Sequence, residues 1–498
     1  MSWYFYKAMH YSKFKVMSQD IKDGDIFLCT CTNENAKKYL DQAVKNGASE
    51  CFIDSCLDLS GDNIKPVAIK IKINDVIEEY FTSKPENIVA VTGTNGKTSS
   101  VAFMKQMMEQ LGHNVISIGT VGVISSIRQD LFDEFNRDNL TTPDKFTMRK
   151  ILHIAKHELG IDYAFLEASS HALTQDRLDG IDFVSGCFTN LTQDHLDYHK
   201  NMDEYLNAKL RLVHKTKKHF IVNSNDRNAS FFISEAKNNG LGVMTYGDAA
   251  DLSIKIKSVD TQGQNFVFSL GGKDYDIKSA INGEFQVYNL ALAFLGVMSL
   301  GFDPDDIAMV IPKLNPPIGR LERIPANGCY TNVYVDYAHT PDALEKALMT
   351  LRKVAKNGKL IALFGCGGNR DKTKRPKMMR ICLDNADEVI ITDDNPRFEE
   401  PHDIRRDIIS ELEMKNIAMK SFEIGGKRIC DVMNFEADDK ICYEIKGTRS
   451  DAIKYGISIM NDGDVLLIAG KGHEDYQIIK GTKYHFSDQE EVIECFGN

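Results

Sequence analysis

Residues 93–98 read Gly-Thr-Asn-Gly-Lys-Thr and follow the apolar run Asn87-Ile88-Val89-Ala90-Val91. A short β-branched strand enters a glycine-rich turn, and the turn enters a segment predicted to be helical from Ser99 to Leu111. Such a turn aims backbone N–H groups and a helix N-terminus at one point, which suits a polyphosphate. Lys97 has the reach for β- and γ-phosphates, and the Thr98 hydroxyl can ligate Mg²⁺. The stretch Gly93, Thr94, Asn95, Gly96, Lys97, Thr98 and Ser99 is therefore read as a cradle for ATP. The commoner pattern is G-x-x-x-x-G-K-[ST], whereas Gly93 stands only three residues before Gly96. The shorter spacing argues against an ordinary GTPase or motor ATPase.

Two further stretches could join this chemistry. Glu167 closes the apolar strand candidate Tyr163-Ala164-Phe165-Leu166, and a carboxylate at that end of a strand is a natural Mg²⁺ ligand beside a phosphate loop. His195 lies in Asp194-His195-Leu196-Asp197-Tyr198-His199, where several polar groups crowd one loop. Lys209, in Tyr205-Leu206-Asn207-Ala208-Lys209, reads by itself as a solvated helix lysine.

These residues need elements to hold them. Up to about Pro85, Gly24-Asp25-Ile26-Phe27-Leu28 reads as turn then strand. A helix follows over Ala36–Asn46 with Tyr39, Leu40, Ala43 and Val44 on one face, then a strand at Glu50-Cys51-Phe52-Ile53. From Glu86 to Pro317, strands are predicted at Asn114–Gly119, Tyr163–Ala168 and Phe220–Asn223, with helical patterns between them. Such alternation implies a mostly parallel sheet covered by helices on both faces. Three prolines between Pro312 and Pro317 mark a boundary. Beyond it, Val333–Asp336, Leu360–Phe364, Glu388–Thr392 and Val465–Ala469 are short apolar strands, each followed by a polar or glycine-rich loop. Ligands gather at the carboxyl ends of strands in such sheets. The chain is read as α/β with three domains, 1–85, 86–317 and 318–498.

A chain of 498 residues is too long for one core. The net charge of −11 disfavours a general nucleic-acid binder. The 11 cysteines are scattered; Cys29 and Cys31 lack a second pair that would complete a zinc site, so reduced thiols in a cytoplasm are expected. The aromatic N-terminus, Met1 to Lys7, is too brief for a signal segment, and no apolar run is long enough to span a membrane.

Taken in order, GTNGKT, Glu167-Ala168-Ser169-Ser170-His171 and Asn190-Leu191-Thr192-Gln193-Asp194-His195-Leu196-Asp197-Tyr198-His199 resemble the Mur ligases. Later segments agree: Gly319 to Arg323, Asp336 to Asp342, Gly365 to Asp371, Asp394-Asn395-Pro396-Arg397, and Gly470 to Glu474. The likeness covers nearly the whole chain and is greatest to the MurE type, which extends the UDP-N-acetylmuramoyl-dipeptide. It implies an N-terminal UDP-binding unit, a central P-loop-type ATPase and a Rossmann-like C-terminal unit. It also implies ATP-driven amide-bond formation through an acyl phosphate, in peptidoglycan precursor synthesis, by a cytoplasmic monomer.

The resemblance assigns roles residue by residue. Lys209 maps onto a carbamylated lysine (N6-carboxylysine), which would hold a second Mg²⁺ with Glu167 and His195, beside the Mg²⁺ on Thr98. Carbamylation needs a neutral amine, so a depressed lysine pKa would favour it. Asn289, Arg320 and Asp336 would contact the nucleotide, and His195 or His339 would assist proton transfer. Ser18, Thr141, Thr142, Ser169, Gln175 and Arg177 map onto positions that hold UDP-MurNAc-L-Ala-D-Glu.

Asp394-Asn395-Pro396-Arg397 resembles the form found in relatives that add meso-diaminopimelate, which is lysine with a second carboxylate. Arg397 can pair with that carboxylate bidentately. Arg370, Gly470 and Glu474 would complete the pocket, with Glu474 on the distal ammonium. A lysine-adding ligase, a folylpolyglutamate synthase and a non-catalytic nucleotide-binding scaffold are the competing readings. One departure stands out: where the family has Asp-Ser-Arg, this chain has Met17-Ser18-Gln19.

Overall fold

The computed structural model describes residues 14–15, 18–29, 35–54, 68–71, 73–137, 140–195, 198–260, 263–326, 329–410, 420–424, 427–435 and 440–497. Cys31, Met17, Leu196, Asp197 and the aromatic N-terminus lie outside them.

The first sheet is parallel and runs Phe14–Lys15, Ile26–Cys29, Glu50–Asp54, Ala68–Ile71. Helix Asn35–Lys45 covers it through Ala36, Leu40 and Ala43. Tyr39 and Val44, expected on that inward face, are instead 36% and 46% exposed. Positions 36, 40 and 43 already complete the apolar stripe, and Tyr39 and Val44 flank it on either side.

The central sheet has the order Lys273–Ser279, Gly263–Leu270, Leu252–Asp260, Gly242–Gly247, Thr216–Asn223, Phe183–Phe188, Asn87–Thr92, Tyr163–Glu167, Val115–Gly119, Gly122–Ser125. It is parallel through the middle, with antiparallel pairings at both edges. Strand Asn87–Thr92 shows why the sequence reads as a continuous apolar run. Ile88 and Ala90 enter one core and Val89 and Val91 the other, so both faces are covered. The antiparallel strands from Leu252 to Ser279 were not anticipated; their alternation of polar and apolar residues is that of an edge with one wet face. Helix Lys97–Gln110 begins two residues before the expected start, so Lys97 and Thr98 lie in its first turn.

The third sheet has the order Glu322–Ala326, Cys329–Asp336, Val465–Ala469, Leu360–Phe364, Glu388–Ile391, Lys440–Ile445, Lys427–Phe435, Lys420–Ile424. Its four expected strands form the parallel centre. Asp336 pairs with Ala469, Ala469 with Phe364 and Phe364 with Ile391, so the loops that follow all leave one edge. The same holds centrally, where Val91 pairs with Glu167 and Thr92 with Phe188. The two carboxyl edges face each other.

Candidate active site

The phosphate loop is shaped by its glycines. Gly93 and Gly96 have φ of 148° and 87°, which L side chains rarely adopt. A Cβ at Gly93 would overlap Thr189 Oγ1, and one at Gly96 would overlap Asn289 Oδ1. The loop is pinned from the strand beside it. Thr94 N donates to Asn190 O at 2.8 Å, and Asn95 N donates to Asn190 Oδ1 at 3.0 Å. Gly96 caps the helix with no side-chain bond, which leaves the helix N-terminus open to an anion. Lys97 Nζ folds over the loop and donates to Gly93 O and Thr94 O at 2.9 and 2.8 Å. Thr98 and Ser99 are buried.

The C-terminal unit reaches this loop. Arg320 Nη2 donates to Thr98 Oγ1 at 3.1 Å, its guanidinium lies 4.6 Å from the Tyr337 ring centroid, and its buried Nε has no hydrogen-bond partner. A guanidinium with a spare donor at a helix N-terminus fits a phosphate. Asn95 Nδ2 donates to Asp342 Oδ2 at 2.9 Å. Asp336 accepts from Leu321 N and Ala338 N at 2.5 and 2.7 Å, and burial pushes its carboxyl up to about 6. Asn289 is buried against Gly96, and its Nδ2 donates to Gln286 Oε1 at 2.9 Å. The nucleotide set predicted from sequence is thus gathered in one place.

Glu167 is 1% exposed and accepts from Thr120 N and Thr120 Oγ1 at 2.8 and 3.1 Å. Lys209 is 1% exposed, far from the solvated lysine its local sequence describes. Its Nζ donates to Gly93 O at 2.8 Å and lies 4.3 Å from the Tyr205 ring centroid. Burial first, then the neighbouring Lys97 charge, hold the amine well below its ordinary pKa. That is the state carbamylation requires. His195 has φ of 53° and stands edge-on to His171 at 4.9 Å. Its Nε2 is 3.5 Å from Asp194 Oδ2. Burial opposes ionisation of Asp194, but His195 and His339 outweigh it and hold the carboxyl below its usual range. His339 Nδ1 donates to Tyr337 O at 2.8 Å, and burial followed by Lys374 lowers its pKa to about 4.

Among the described residues no three His, Cys, Asp or Glu side chains form a metal-holding group. The expected Mg²⁺ set draws only Glu167 and His195 from those types; the hydroxyl of Thr98 and a modified Lys209 would supply the rest. The Thr98 hydroxyl and Glu167 carboxylate are hard oxygens of the kind Mg²⁺ prefers.

A second cluster lies beyond Glu167. Thr142 Oγ1 donates to Glu167 O at 2.7 Å and to Ser169 Oγ at 3.2 Å. Arg177 donates to Thr142 O at 2.8 Å and through Nε and Nη2 to Gln175 Oε1 at 2.9 and 2.6 Å. Gln175 Nε2 donates to the Tyr198 hydroxyl at 3.2 Å. Thr141 receives a bond from Thr120 Oγ1 at 3.2 Å. Ser18 is apart from this cluster and buried in the first unit, where its hydroxyl donates to Gln42 Oε1 at 2.9 Å.

The acceptor motif forms a third cluster. Asp394 and Asn395 are buried, and Asn395 Nδ2 donates to Glu474 Oε2 at 2.8 Å. Arg397 has φ of 54°, and its Nη1 donates to Gly368 O at 3.0 Å. The Pro396 carbonyl packs on Gly368, Gly470 has φ of 118° and borders Asp394, and Arg370 is exposed. Sequence reasoning missed Thr120, Tyr205, Asp194, Asp342 and Lys471. The first four sit beside or within motifs already singled out. Lys471 lies inside the Gly470–Glu474 segment, which was the available signal.

Comparison with known proteins gives the family. Residues 91–297 match the Mur ligase middle domain, and residues 319–472 match the Mur ligase glutamate ligase domain. A UDP-N-acetylmuramoyl-L-alanyl-D-glutamate–2,6-diaminopimelate ligase from Rickettsia rickettsii is 38% identical over 490 residues, spanning 96% of this chain and 95% of that one. A solved structure of a ligase with the same name is 30% identical with a TM-score of 0.60, covering 97% of this chain and 94% of its own. The ADP complex of a MurF ligase from Thermotoga maritima shares the fold at 15% identity, with a TM-score of 0.62 and 98% coverage of both chains. Two family matches that together span most of residues 91–472, and a relative 38% identical over 96% of this chain, show that the chain belongs to the Mur ligase family.

Proposed function

We propose that this chain is the ATP-dependent ligase that adds meso-2,6-diaminopimelate to UDP-MurNAc-L-Ala-D-Glu, in peptidoglycan precursor synthesis. The observation that carries the proposal is the meeting of two carboxyl edges. The phosphate loop and Glu167 stand on one edge, and Arg320, His339 and the Asp394–Arg397 loop on the other.

A carboxylate is a poor acyl donor at neutral pH. Phosphorylating it with ATP gives an acyl phosphate, whose phosphate leaves readily when an amine attacks. Phosphoryl transfer calls mainly for alignment and charge neutralisation. The backbone of residues 93–98 cradles the phosphates, and Lys97 and Arg320 supply positive charge to the β/γ oxygens. Asn289 borders Gly96 and Asp336 sits behind Arg320, on the nucleoside side. Thr98, Glu167, His195 and carbamylated Lys209 would hold Mg²⁺, which neutralises phosphate charge. Thr141, Thr142, Ser169, Gln175 and Arg177 bind the UDP-linked dipeptide and present its terminal carboxyl. The amine attacks in its neutral form and sheds a proton as the amide forms; His195, or His339, which is neutral near pH 7, is placed to take it.

Arg397 and Arg370 are the groups for the distal carboxylate of diaminopimelate, and Glu474 for its ammonium. Lysine lacks that carboxylate and would leave Arg397 without its anion. We take the working units as 1–85, 86–317 and 318–498, acting as a monomer in the cytoplasm, where both ATP and the nucleotide-linked substrate are available. Among the described residues no helix is long and apolar enough to cross a membrane.

The test is phosphate release from ATP with UDP-MurNAc-L-Ala-D-Glu, with and without diaminopimelate or lysine. Release that requires diaminopimelate, together with a new peptide bond, is the expected result. Release with lysine alone would reassign the acceptor, and none in any condition would favour a scaffold.

A further inference from the structure

Lys471 is completely buried, yet it belongs to no role assigned above. Its Nζ lies 3.4 Å from Asn395 Oδ1, 3.5 Å from Glu474 Oε2 and 3.7 Å from Asp394 Oδ1. The rings of Tyr476 and Phe486 flank it, with centroids at 5.6 and 5.9 Å. One ammonium therefore touches three members of the acceptor loop set, from a strand-end turn that contributes two of the pocket residues itself, Gly470 and Glu474. A buried cation of this kind is costly unless it is paired, and here it is paired with two carboxylates at once.

We propose that Lys471 is a positioning and specificity residue for the acceptor amino acid: it holds the Glu474 carboxylate ionised and fixes the Asn395 amide, so that Asp394, Glu474 and Lys471 together present one net negative charge to the distal ammonium. The proposal rests on reading residues 394–397 and 470–474 as the acceptor pocket. Asp394 and Glu474 close together would otherwise repel, and one of them would take up a proton. With Lys471 between them the repulsion is relieved, and the three groups together carry one net negative charge.

The environment of Glu474 agrees. Burial first, and then Asp394, hold its carboxyl above the ordinary pKa, and Lys471 and Asn395 oppose that rise. Tyr337 and Tyr476 also face it, and the buried Arg449 senses its charge from the helix behind. Asn395 is fixed at both ends of its amide. Nδ2 donates to Glu474, while Oδ1 accepts from Ile478 N at 2.9 Å and faces Lys471. Removing the ammonium would thus free one carboxylate to protonate and loosen the amide that orients it.

The sign follows. Glu474 binds an ammonium only when ionised, so kcat/KM for the acceptor rises with pH through its carboxyl pKa. Without Lys471 that pKa climbs, and the acid limb of kcat/KM moves to higher pH. Lys471→Met keeps the length and packing of the stem and removes the charge. It should lower kcat/KM for diaminopimelate about 10²-fold at neutral pH, move the acid limb up by about one pH unit or more, and leave the KM for ATP within about twofold. Lys471→Arg, which keeps a cation on the stem, should retain most of the acceptor kcat/KM and the original limb. It also serves if the methionine variant does not fold, because an arginine variant with a displaced limb would overturn the proposal.

Glu474→Gln separates this idea from the reading beneath it. If Glu474→Gln leaves the acceptor KM unchanged, the pocket reading and the proposal both fall. If Glu474→Gln raises the acceptor KM while Lys471→Met changes neither kcat/KM nor the limb, only the role of Lys471 falls. If both act, the double variant should lose little beyond Glu474→Gln alone, because the lysine works through that carboxylate. Additive losses would overturn the proposal.

Discussion

Arg320 and Thr98 are 222 residues apart in sequence and 3.1 Å apart in space, guanidinium to hydroxyl. The contact joins the helix behind the phosphate loop to the third sheet, and Arg320 keeps a free Nε beside it. One side chain therefore ties the phosphate-loop helix to the C-terminal unit and still has a donor to spare.

Arg320→Ala should lower kcat/KM for ATP by about 10–100-fold, as expected for loss of charge-assisted bonds worth roughly 1.5–3 kcal/mol. Arg320→Lys should recover only part of this, since an ammonium cannot bond Thr98 and a phosphate with a planar fork. Initial-rate kinetics with ATP varied at saturating acceptor give the comparison.

Lys97→Ala should abolish acceptor-dependent ADP release, with kcat falling by about 10²–10³-fold, the cost of removing a preorganised charge from a transferring phosphoryl group. A coupled ADP assay reads this directly. Undiminished turnover would refute the role of the loop.

Gly96→Ala places a methyl against Asn289 Oδ1 and puts an L residue at φ of 87°. The strain should cost about 1–3 kcal/mol and displace Asn289. A lowered melting temperature together with a raised KM for ATP is the expected pair of results. The melt alone would change if Asn289 had no part in nucleotide binding.

Arg397→Ala should lose roughly 30- to 5,000-fold in kcat/KM for diaminopimelate, matching about 2–5 kcal/mol for truncating one partner of a desolvated charge pair. Wild-type protein should discriminate against lysine by a comparable factor. Equal rates with both amino acids would contradict the acceptor assignment.

His339 makes a pH prediction. Burial, then Lys374, depress its folded pKa to about 4, against an ordinary value of 6.5. The unfolded chain therefore binds a proton that the folded chain refuses between those values. The stability tied to neutral His339 is complete above about pH 6.5 and is lost as the pH falls towards 4. Asp336 works in the opposite sense, because burial raises its carboxyl to about 6. The difference between wild type and His339→Gln isolates the histidine. From pH 7 to pH 5 the wild type should lose up to about 2 kcal/mol more than the variant, measured by urea unfolding.

Local pattern was enough for much of this molecule. Strand Asn87–Thr92, the turn after it and the helix start form one signal, because β-branched residues, positive-φ glycines and a Lys-Thr pair each act within a few residues. Glu167 and Asp336 were legible for the same reason: each closes an apolar strand, and strand ends in such sheets carry ligands.

What the tertiary structure decided is which distant ends meet and what the meeting does to charge. Lys209 reads as a solvated lysine on helix Met202–His214 until Gly93 and Tyr205 enclose it. Lys471 is anonymous until Asp394, Asn395 and Glu474 surround it. The antiparallel edge strands carried a period-two alternation that was legible but passed over; what the fold added is which strands they pair with, an order set by distant partners. Propensity and turn chemistry act through adjacent residues and are written along the chain; desolvation and charge pairing depend on neighbours that only folding brings together.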